Sequence, residues 1–279
     1  MNSTQSEAPI VVGIDGSQAA INAAVWAADF AVDRGVPLRL VHVVTVDEED
    51  TDLDEDPSDL AADWPETEFG RTALRVASAA VHATGKLIAV DTEILWGETD
   101  AMLLTESASA TMVCVGSVGV TPFCERTLGS TATTVAQQAH CPVAVIRLDN
   151  DLPTLESEWI VTVVDSSRAG NTVATWALEA ACLLRAPVLA LGVAPSEPCG
   201  IDGYELERRV ASWRKQYPHL HIYPVACDDD VAGFLRDHDE LAAQLAVIGD
   251  THVKRAAQIV GPYRQSRDTH NWCSVLVVR

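Results

Sequence analysis

The chain has 279 residues, which is enough for two domains of ordinary size, each with its own hydrophobic core. Its 40 acidic and 19 basic residues give a formal net charge of −21, and this acidity argues against nucleic acid or an anionic membrane as a general partner, since both require positive surface. No apolar stretch is long enough to span a membrane and residues 1–9 are largely polar, so we expect a cytoplasmic protein.

Strands and helices alternate along the first half of the chain. An apolar run at residues 9–14 predicts a strand that is buried on both faces. Ser17 is the predicted N-cap of the helix that follows, and Gly35 is its predicted end. The i, i+4, i+7 and i+11 spacing of four apolar residues predicts the buried face of this helix: Ile21, Val25, Ala28 and Val32.

The remaining elements of the first half continue the alternation. Strands are predicted at 37–44, 87–95, 112–115 and 142–146, and helices at 67–84, 98–108 and 131–138. Such alternation requires right-handed crossovers between parallel strands. The predicted fold is therefore α/β: a Rossmann-like lobe with a five-stranded, parallel, doubly wound sheet and flanking helices.

The same pattern begins again in the second half. Four residue identities recur at an offset of 150: Asp15 with Asp165, Trp26 with Trp176, Pro37 with Pro187, and Val43 with Val193. Near the C-terminus the offset falls to about 132, which pairs Gly129 with Gly261. A repeat of this length predicts duplicated domains rather than a solenoid. We predict two tandem lobes, residues 1–149 and 150–279.

A glycine-rich loop follows the predicted strand at 112–115. It reads Gly116-Ser117-Val118-Gly119, then nine residues, then Gly129-Ser130-Thr131 at the start of a predicted helix. Glycines let the backbone approach an anion closely, and the free amides at a helix N-terminus attract phosphate. The spacing matches neither the P-loop nor the dinucleotide fingerprint. We predict a phosphate-binding loop of another type.

Four segments in this order resemble the universal stress protein family, in a tandem form of the actinobacterial kind. They are Val11–Ser17, Leu40–Val43, the glycine loop, and Cys141–Val145. The resemblance implies an ATP site with adenine between the ends of the first two strands. It implies that Asp15 contacts the adenosine, that Val43 meets adenine through its backbone, and that Gly13 lines the same wall.

The resemblance also assigns the ribose and phosphates to the glycine loop, where Arg126 is the one cation. The residues that it assigns are Gly116, Gly119, Gly129, Ser130 and Thr131, and we add Ser117 and Arg126 of the same loop as candidate binding residues. Asp15 has an ordinary alternative role as a turn or helix-cap residue. Glu125 lies beside the expected phosphate path, so two outcomes are open: modest ATP affinity, or Mg²⁺ bridging Glu125 and phosphate.

By the resemblance, the protein is a nucleotide-dependent regulator in stress response or growth arrest. No nucleophile or base stands in a catalytic motif, so we expect no enzyme, with slow ATP hydrolysis left open. The alternatives are a nucleotide-free interaction or scaffold protein and a slow adenine-nucleotide hydrolase.

Pairing of the fifth strands, 143–146 and 275–278, across the lobes would protect both edges. A homodimer and an unidentified protein partner are further expectations.

The second lobe departs from the pattern in its glycine loop. His252 replaces the second glycine, and Pro262 stands in the place of Ser130. We expect this lobe to bind nucleotide poorly or not at all. The alternative is that Arg255, Arg264 and Arg267 compensate with side-chain charge.

Two other features of the sequence have ordinary interpretations. Residues 47–59 contain nine carboxylates, which predicts a solvated loop, with a cation site as the alternative. The seven cysteines include no C-x-x-C pair, which predicts reduced thiols in the core rather than a metal site.

Overall fold

The computed structural model describes residues 8–45, 64–119, 128–147, 158–167, 170–193, 200–227, 230–238, 241–261 and 273–279. These residues form two compact units, which we call the first and second lobes. Each lobe has the predicted α/β fold, with five parallel strands and helices between them. Among the described residues, no helix is long and apolar enough to cross a membrane.

The strands of the first lobe lie in the order β3-β2-β1-β4-β5. Every pairing between neighbours is parallel. In chain order the elements are β1 (Ile10–Gly13), α1 (Gln18–Arg34), β2 (Leu38–Val44), α2 (Pro65–Ala83), β3 (Val90–Trp96), α3 (Thr99–Ser107), β4 (Met112–Gly116), α4 (Ser130–Gln138) and β5 (Val143–Ile146).

The strands of the second lobe lie in the corresponding order, β10-β9-β6-β7-β8, and are also parallel. The elements are β6 (Trp159–Val164), α5 (Gly170–Leu184), β7 (Val188–Val193), α6 (Gly203–Gln216), β8 (Ile222–Cys227), α7 (Val231–Asp237), β9 (Ala243–Gly249), a 3-10 helix (Asp250–Arg255), α8 (Ala256–Val260) and β10 (Ser274–Val278).

Both predicted ends of α1 are confirmed. The Ser17 hydroxyl accepts a hydrogen bond from the amide of Ala20 at 3.2 Å, as an N-cap does. Gly35 has φ of 69°, the left-handed conformation that glycine adopts at little cost, and its amide bonds back to the last turn. The first helix is therefore delimited by local chemistry that can be read directly in the sequence.

The predicted buried face of α1 is right for Ala28 and wrong for the other three residues. Val32 is 45% exposed, and Ile21 and Val25 are only partly buried. The buried face is instead rich in alanine and consists of Ala19, Ala20, Ala23, Ala24, Ala27, Ala28, Phe30 and Ala31. Small side chains allow the helix backbone to pack close to the sheet. The prediction followed the spacing of the branched residues and included only one of the seven buried alanines.

The cysteines agree with the prediction of core thiols. Cys114, Cys141, Cys227 and Cys273 are buried, and Cys182 is exposed. Burial raises the pKa of the Cys114 thiol well above its usual value, with a smaller contribution from Cys141. No group of three or more metal-ligating side chains is found in the described part of the chain.

Candidate functional site

The strand order creates a crevice at the carboxyl end of the first sheet. β1 has β2 on one side and β4 on the other. The chain runs outward from β1 to β2 and β3, then returns to the opposite side of β1 for β4 and β5. The connections after β1 and β4 therefore diverge, and such a switch in strand order is where open α/β sheets bind ligands.

Asp15 lies at this switch point, just after β1. It is exposed, and its Oδ1 accepts a hydrogen bond from the amide of Ser17 at 2.9 Å. This bond forms an Asx-turn into α1, so the ordinary role of Asp15 in a turn is present. The cap of α1 is supplied by Ser17 rather than by Asp15. One carboxylate oxygen of Asp15 is thus used by the turn.

The other oxygen of Asp15 points toward the glycine loop. A Cβ atom added to Gly119 would lie 2.8 Å from Asp15 Oδ2, closer than side chains tolerate. The structure thus brings together a predicted adenosine contact after β1 and a predicted phosphate glycine after β4. Gly119 therefore lies directly against this oxygen with no side chain between them, while Asp15 as a whole stays exposed.

Gly116 has a packing role that the sequence did not reveal. A Cβ atom at this position would lie 2.8 Å from the carbonyl carbon of Ala19 and from the amide nitrogen of Ala20. The first turn of α1 therefore rests directly on the end of β4. Gly13 is similar but less tight, since its Cβ atom would lie 3.3 Å from Leu103 Cδ1. Packing within the lobe therefore favours glycine at both positions, whether or not a ligand binds.

Gly129 differs from Gly116 because no described residue lies so close to it that packing requires a glycine there. Its φ is −62°, which any residue can adopt, and the nearest atom to an added Cβ is Ser117 O at 3.6 Å. It is the N-cap of α4, and among the described residues no side chain caps this helix. The first amides of α4 are thus available to an anion, and a glycine before them keeps the approach clear.

The three serine and threonine residues assigned to the loop differ in exposure. Ser130 is exposed and Thr131 is half-buried, both in the first turn of α4. Ser117 is only 3% exposed. Its amide donates to Ile146 O at 2.8 Å, and its carbonyl accepts from the Gly129 amide at 3.0 Å. Ser117 therefore acts as a backbone connector behind the site.

Val43 presents its backbone on the β1 side of β2. The carbonyl of Val41 accepts the amide of Ile14 at 2.8 Å on that side. Because backbone groups alternate direction with a period of two, Val43 directs its own N–H and C=O the same way. The last pair between the two strands is Gly13 with Val41, so the backbone of Val43 lies past the end of β1.

Several predicted features lie outside the described residues. They include Arg126 and Glu125 of the glycine loop, the acidic segment 47–59, Pro262, Arg264 and Arg267. The roles suggested for them stay predictions.

In the second lobe, Asp165 occupies the position that corresponds to Asp15, but its surroundings are closed. It is 5% exposed, and its Oδ1 accepts from the Ser167 amide at 2.9 Å and from the Ser167 hydroxyl at 2.5 Å. Its Oδ2 lies 3.7 Å from Nε2 of His252. Burial works to raise the pKa of Asp165, but the imidazole of His252 and the Ser167 donors outweigh it and lower the pKa.

Arg255, one of the arginines that could compensate in the second lobe, is held elsewhere. Its guanidinium lies 3.0 Å from Oδ2 of Asp230. Asp230 is the N-cap of α7, where its Oδ1 accepts the amides of Ala232 and Gly233. This ion pair gives Arg255 a structural partner within its own lobe.

Sequence reasoning missed Phe69, which contacts the turn next to Asp15. Its Cζ would lie 2.7 Å from a Cβ atom on Gly16. The available signal was an aromatic residue on α2 that falls outside the helix's buried stripe, which includes Thr67, Gly70 and Leu74.

Comparison with known proteins agrees with this architecture. A model of the universal stress protein family matches residues 8–147. Universal stress protein Rv2624c of Mycobacterium tuberculosis is 43% identical over 270 residues, covering 97% of this chain and 96% of that protein. Universal stress protein Rv3134c of the same organism is 36% identical over 279 residues, covering 97% and 95%. A crystal structure of a universal stress protein from Archaeoglobus fulgidus superposes with a TM-score of 0.69 at 16% identity, covering 98% of this chain and 97% of that one.

Proposed function

Because the chain belongs to the universal stress protein family, we propose that its first lobe binds ATP in the crevice between β1 and β4. We propose further that the bound nucleotide regulates a partner in stress response or growth arrest. The observation that carries the ATP proposal is the meeting of Asp15 Oδ2 with Gly119. The exposed carboxylate of Asp15 lies there against the glycine loop, and this loop leads to the N-terminus of α4, whose N-cap residue Gly129 has no side chain.

The residues of the crevice match the parts of the nucleotide in chemical type. Asp15 provides an acceptor for the ribose hydroxyls, and charge-assisted hydrogen bonds of this kind are strong. Val43 provides a backbone donor and acceptor past the end of β1, which suits the edge of adenine. Gly119 and Gly129 leave room for the chain of phosphates, and the first amides of α4 bind their charge.

The proposed role is binding without catalysis. Asp15 lies at the adenosine end of this arrangement, too far along the nucleotide from the terminal phosphate to act as its base. Any Mg²⁺ would then enter with ATP as its counter-ion. The second lobe is proposed not to bind ATP, since the imidazole of His252 lies beside its buried carboxylate, whereas the exposed carboxylate of the first lobe has Gly119 beside it, which has no side chain. The boundary near residue 150 and the pairing of β5 with β10 stay predictions.

Calorimetric titration of the full chain with Mg-ATP tests the proposal. We expect one molecule of ATP per chain in the wild type and about tenfold weaker binding in Asp15→Asn, which keeps the Asx-turn acceptor but removes the charge. Asp91→Asn is a matched control, because Asp91 is exposed on β3, and it should bind as the wild type does.

Three outcomes of this experiment discriminate among the functions. A purified protein that carries no adenine nucleotide and takes up none at millimolar Mg-ATP would contradict the proposal and favour a scaffold protein. Binding that Asp15→Asn leaves intact would move the site elsewhere. Steady release of ADP from ATP would make the protein a hydrolase.

A further inference from the structure

Phe69 is an apolar aromatic side chain that remains half exposed next to the proposed ATP site. It lies in the first turns of α2, and its exposed fraction is 50%. Its neighbours Thr67 and Gly70 on the same helix are buried. A ring of this size in such a position leaves a substantial apolar surface open to solvent.

The ring of Phe69 lies over the turn that carries Asp15. Its Cζ would be 2.7 Å, and its Cε1 3.3 Å, from a Cβ atom on Gly16. Gly16 has φ of 84° and follows Asp15 directly, so this turn combines a left-handed backbone with an aromatic ring that requires the absence of a side chain. The position of Phe69 is thus tied to the position of Asp15.

The same ring also contacts the strand that carries Val43. Phe69 and His42 form an edge-to-face pair with 5.9 Å between ring centroids. His42 precedes Val43, and its Nδ1 lies 2.6 Å from Ile14 O. The ring is therefore in contact with both chain segments that flank the proposed adenosine position.

His42 is itself packed against α2, the helix that carries Phe69. A Cβ atom on Gly70 would lie 2.3 Å from His42 Cδ2, so the imidazole packs directly against the backbone of α2. His42 is 8% exposed. A partly exposed ring that is held from two sides loses little conformational freedom when a ligand covers it.

The second lobe lacks this arrangement. Gly192 stands at the position that corresponds to His42, and Leu206 and Ile201 fill the space beside it, 2.8 and 3.1 Å from an added Cβ atom. In the described residues, the histidine and phenylalanine pair thus occurs in the lobe whose carboxylate is open, and aliphatic packing replaces it in the lobe whose carboxylate is closed.

We propose that Phe69 is a further binding residue of the first lobe, which presents its ring to the purine base of the nucleotide. This inference rests on the proposed ATP site. Stacking between a base and an aromatic side chain requires a flat π surface at the adenine end, and Phe69 provides one beside Asp15 and Val43.

Substitutions that separate ring stacking from simple packing test this role. Phe69→Leu keeps an apolar side chain but removes the π surface, and it should weaken ATP binding about tenfold. Phe69→Trp keeps a stacking surface and should bind ATP within about twofold of the wild type. Val76→Ala is a matched control, because Val76 lies on the same helix and is 49% exposed, and it should leave ATP binding unchanged.

Calorimetry with Mg-ATP, and melting temperatures of the nucleotide-free variants, give the outcome. Wild-type binding with an unchanged affinity in Phe69→Leu would overturn the role of Phe69 and leave the ATP proposal standing. A loss of affinity in Phe69→Leu that matches a loss in melting temperature, with no rescue by Phe69→Trp, would also overturn it, since packing alone would explain both. Failure of the wild type to bind ATP would overturn both proposals together.

Discussion

His252 Nε2 lies 3.7 Å from Asp165 Oδ2, whereas the neighbour of the corresponding oxygen of Asp15 is Gly119, which has no side chain. The two equivalent aspartates, Asp15 and Asp165, thus have different surroundings in their lobes. In the second lobe it is buried and held by an imidazole and a serine from its own chain. In the first lobe it is exposed. This difference provides separate predictions for stability and for binding.

The pH dependence of stability should change when Asp165 is replaced. The pKa of Asp165 is lowered from its ordinary 3.8 in the folded protein. A lowered pKa adds stability that is present above the unfolded-state value and is lost as pH falls through the folded-state value. We expect the difference in unfolding free energy between the wild type and Asp165→Asn to be constant near neutrality and to shrink below about pH 4.

Urea denaturation of both proteins between neutral and acidic pH measures this difference. Asp250→Asn is a suitable control, because Asp250 is exposed at the start of the 3-10 helix in the same lobe, and its difference from the wild type should be small throughout. A difference for Asp165→Asn that stays constant into the acidic range would contradict the prediction.

Removal of the His252 side chain should destabilise the protein. His252→Ala removes the imidazole beside Asp165 Oδ2, while Ser167 continues to donate to Oδ1, so we expect a loss of about 1 kcal/mol in the free energy of unfolding. In a double-mutant cycle, the effect of His252→Ala should be smaller in the Asp165→Asn background. Additive effects would show that the two side chains do not interact.

Two glycines of the loop should respond in opposite ways to alanine. Gly116→Ala places a Cβ atom 2.8 Å from the backbone of Ala19 and Ala20, and such overpacking costs about 1–3 kcal/mol. Gly129→Ala meets ordinary contact distances, so its effect on stability should stay below about 1 kcal/mol. Its added methyl group, however, lies in the approach to the α4 amides, and we expect ATP binding to fall about tenfold.

Thermal melts and Mg-ATP titrations of the two variants give both quantities. A Gly129→Ala protein that binds ATP normally would exclude this approach path. A Gly116→Ala protein as stable as the wild type would show that α1 can shift away from β4.

The N-cap of α1 should contribute measurably to stability. Ser17 accepts the Ala20 amide through its side chain, and replacing such a cap with alanine costs about 1 kcal/mol. Ser130 is exposed and follows the N-cap residue Gly129, and in the described part of the chain its side chain caps no helix, so Ser130→Ala should change stability by less than about 0.5 kcal/mol. Melting temperatures that fall equally in both variants would contradict the assignment of the cap.

Local signals predicted the elements well, and contacts between distant segments account for what was missed. The capping roles of Ser17 and Gly35 were predicted correctly because they depend on residues nearby in the chain. The burial of α1 depends on the sheet that it covers, so Ile21 and Val32 could not be placed from their own spacing. The packing role of Gly116 could not be predicted, because its neighbour, the first turn of α1, is far away in sequence.

The candidate site likewise contains some contacts that the sequence predicted and others that it could not. The sequence predicted that the segments of Asp15 and Gly119 converge, because the ends of parallel strands share one edge of the sheet. It could not predict that His252 reaches Asp165, since that contact depends on the path of the 3-10 helix after β9. Phe69 was missed for a related reason, since its importance comes from its position over Gly16.

Ser117 connects the N-cap of α4, at the proposed site, to the end of β5. Its amide holds the end of β5 through Ile146, and its carbonyl holds the residue that begins α4. A single buried residue therefore joins the last strand of the first lobe to the helix whose amides face the proposed phosphates. A displacement of the start of α4 must either stretch one of these two bonds or move the end of β5 with it.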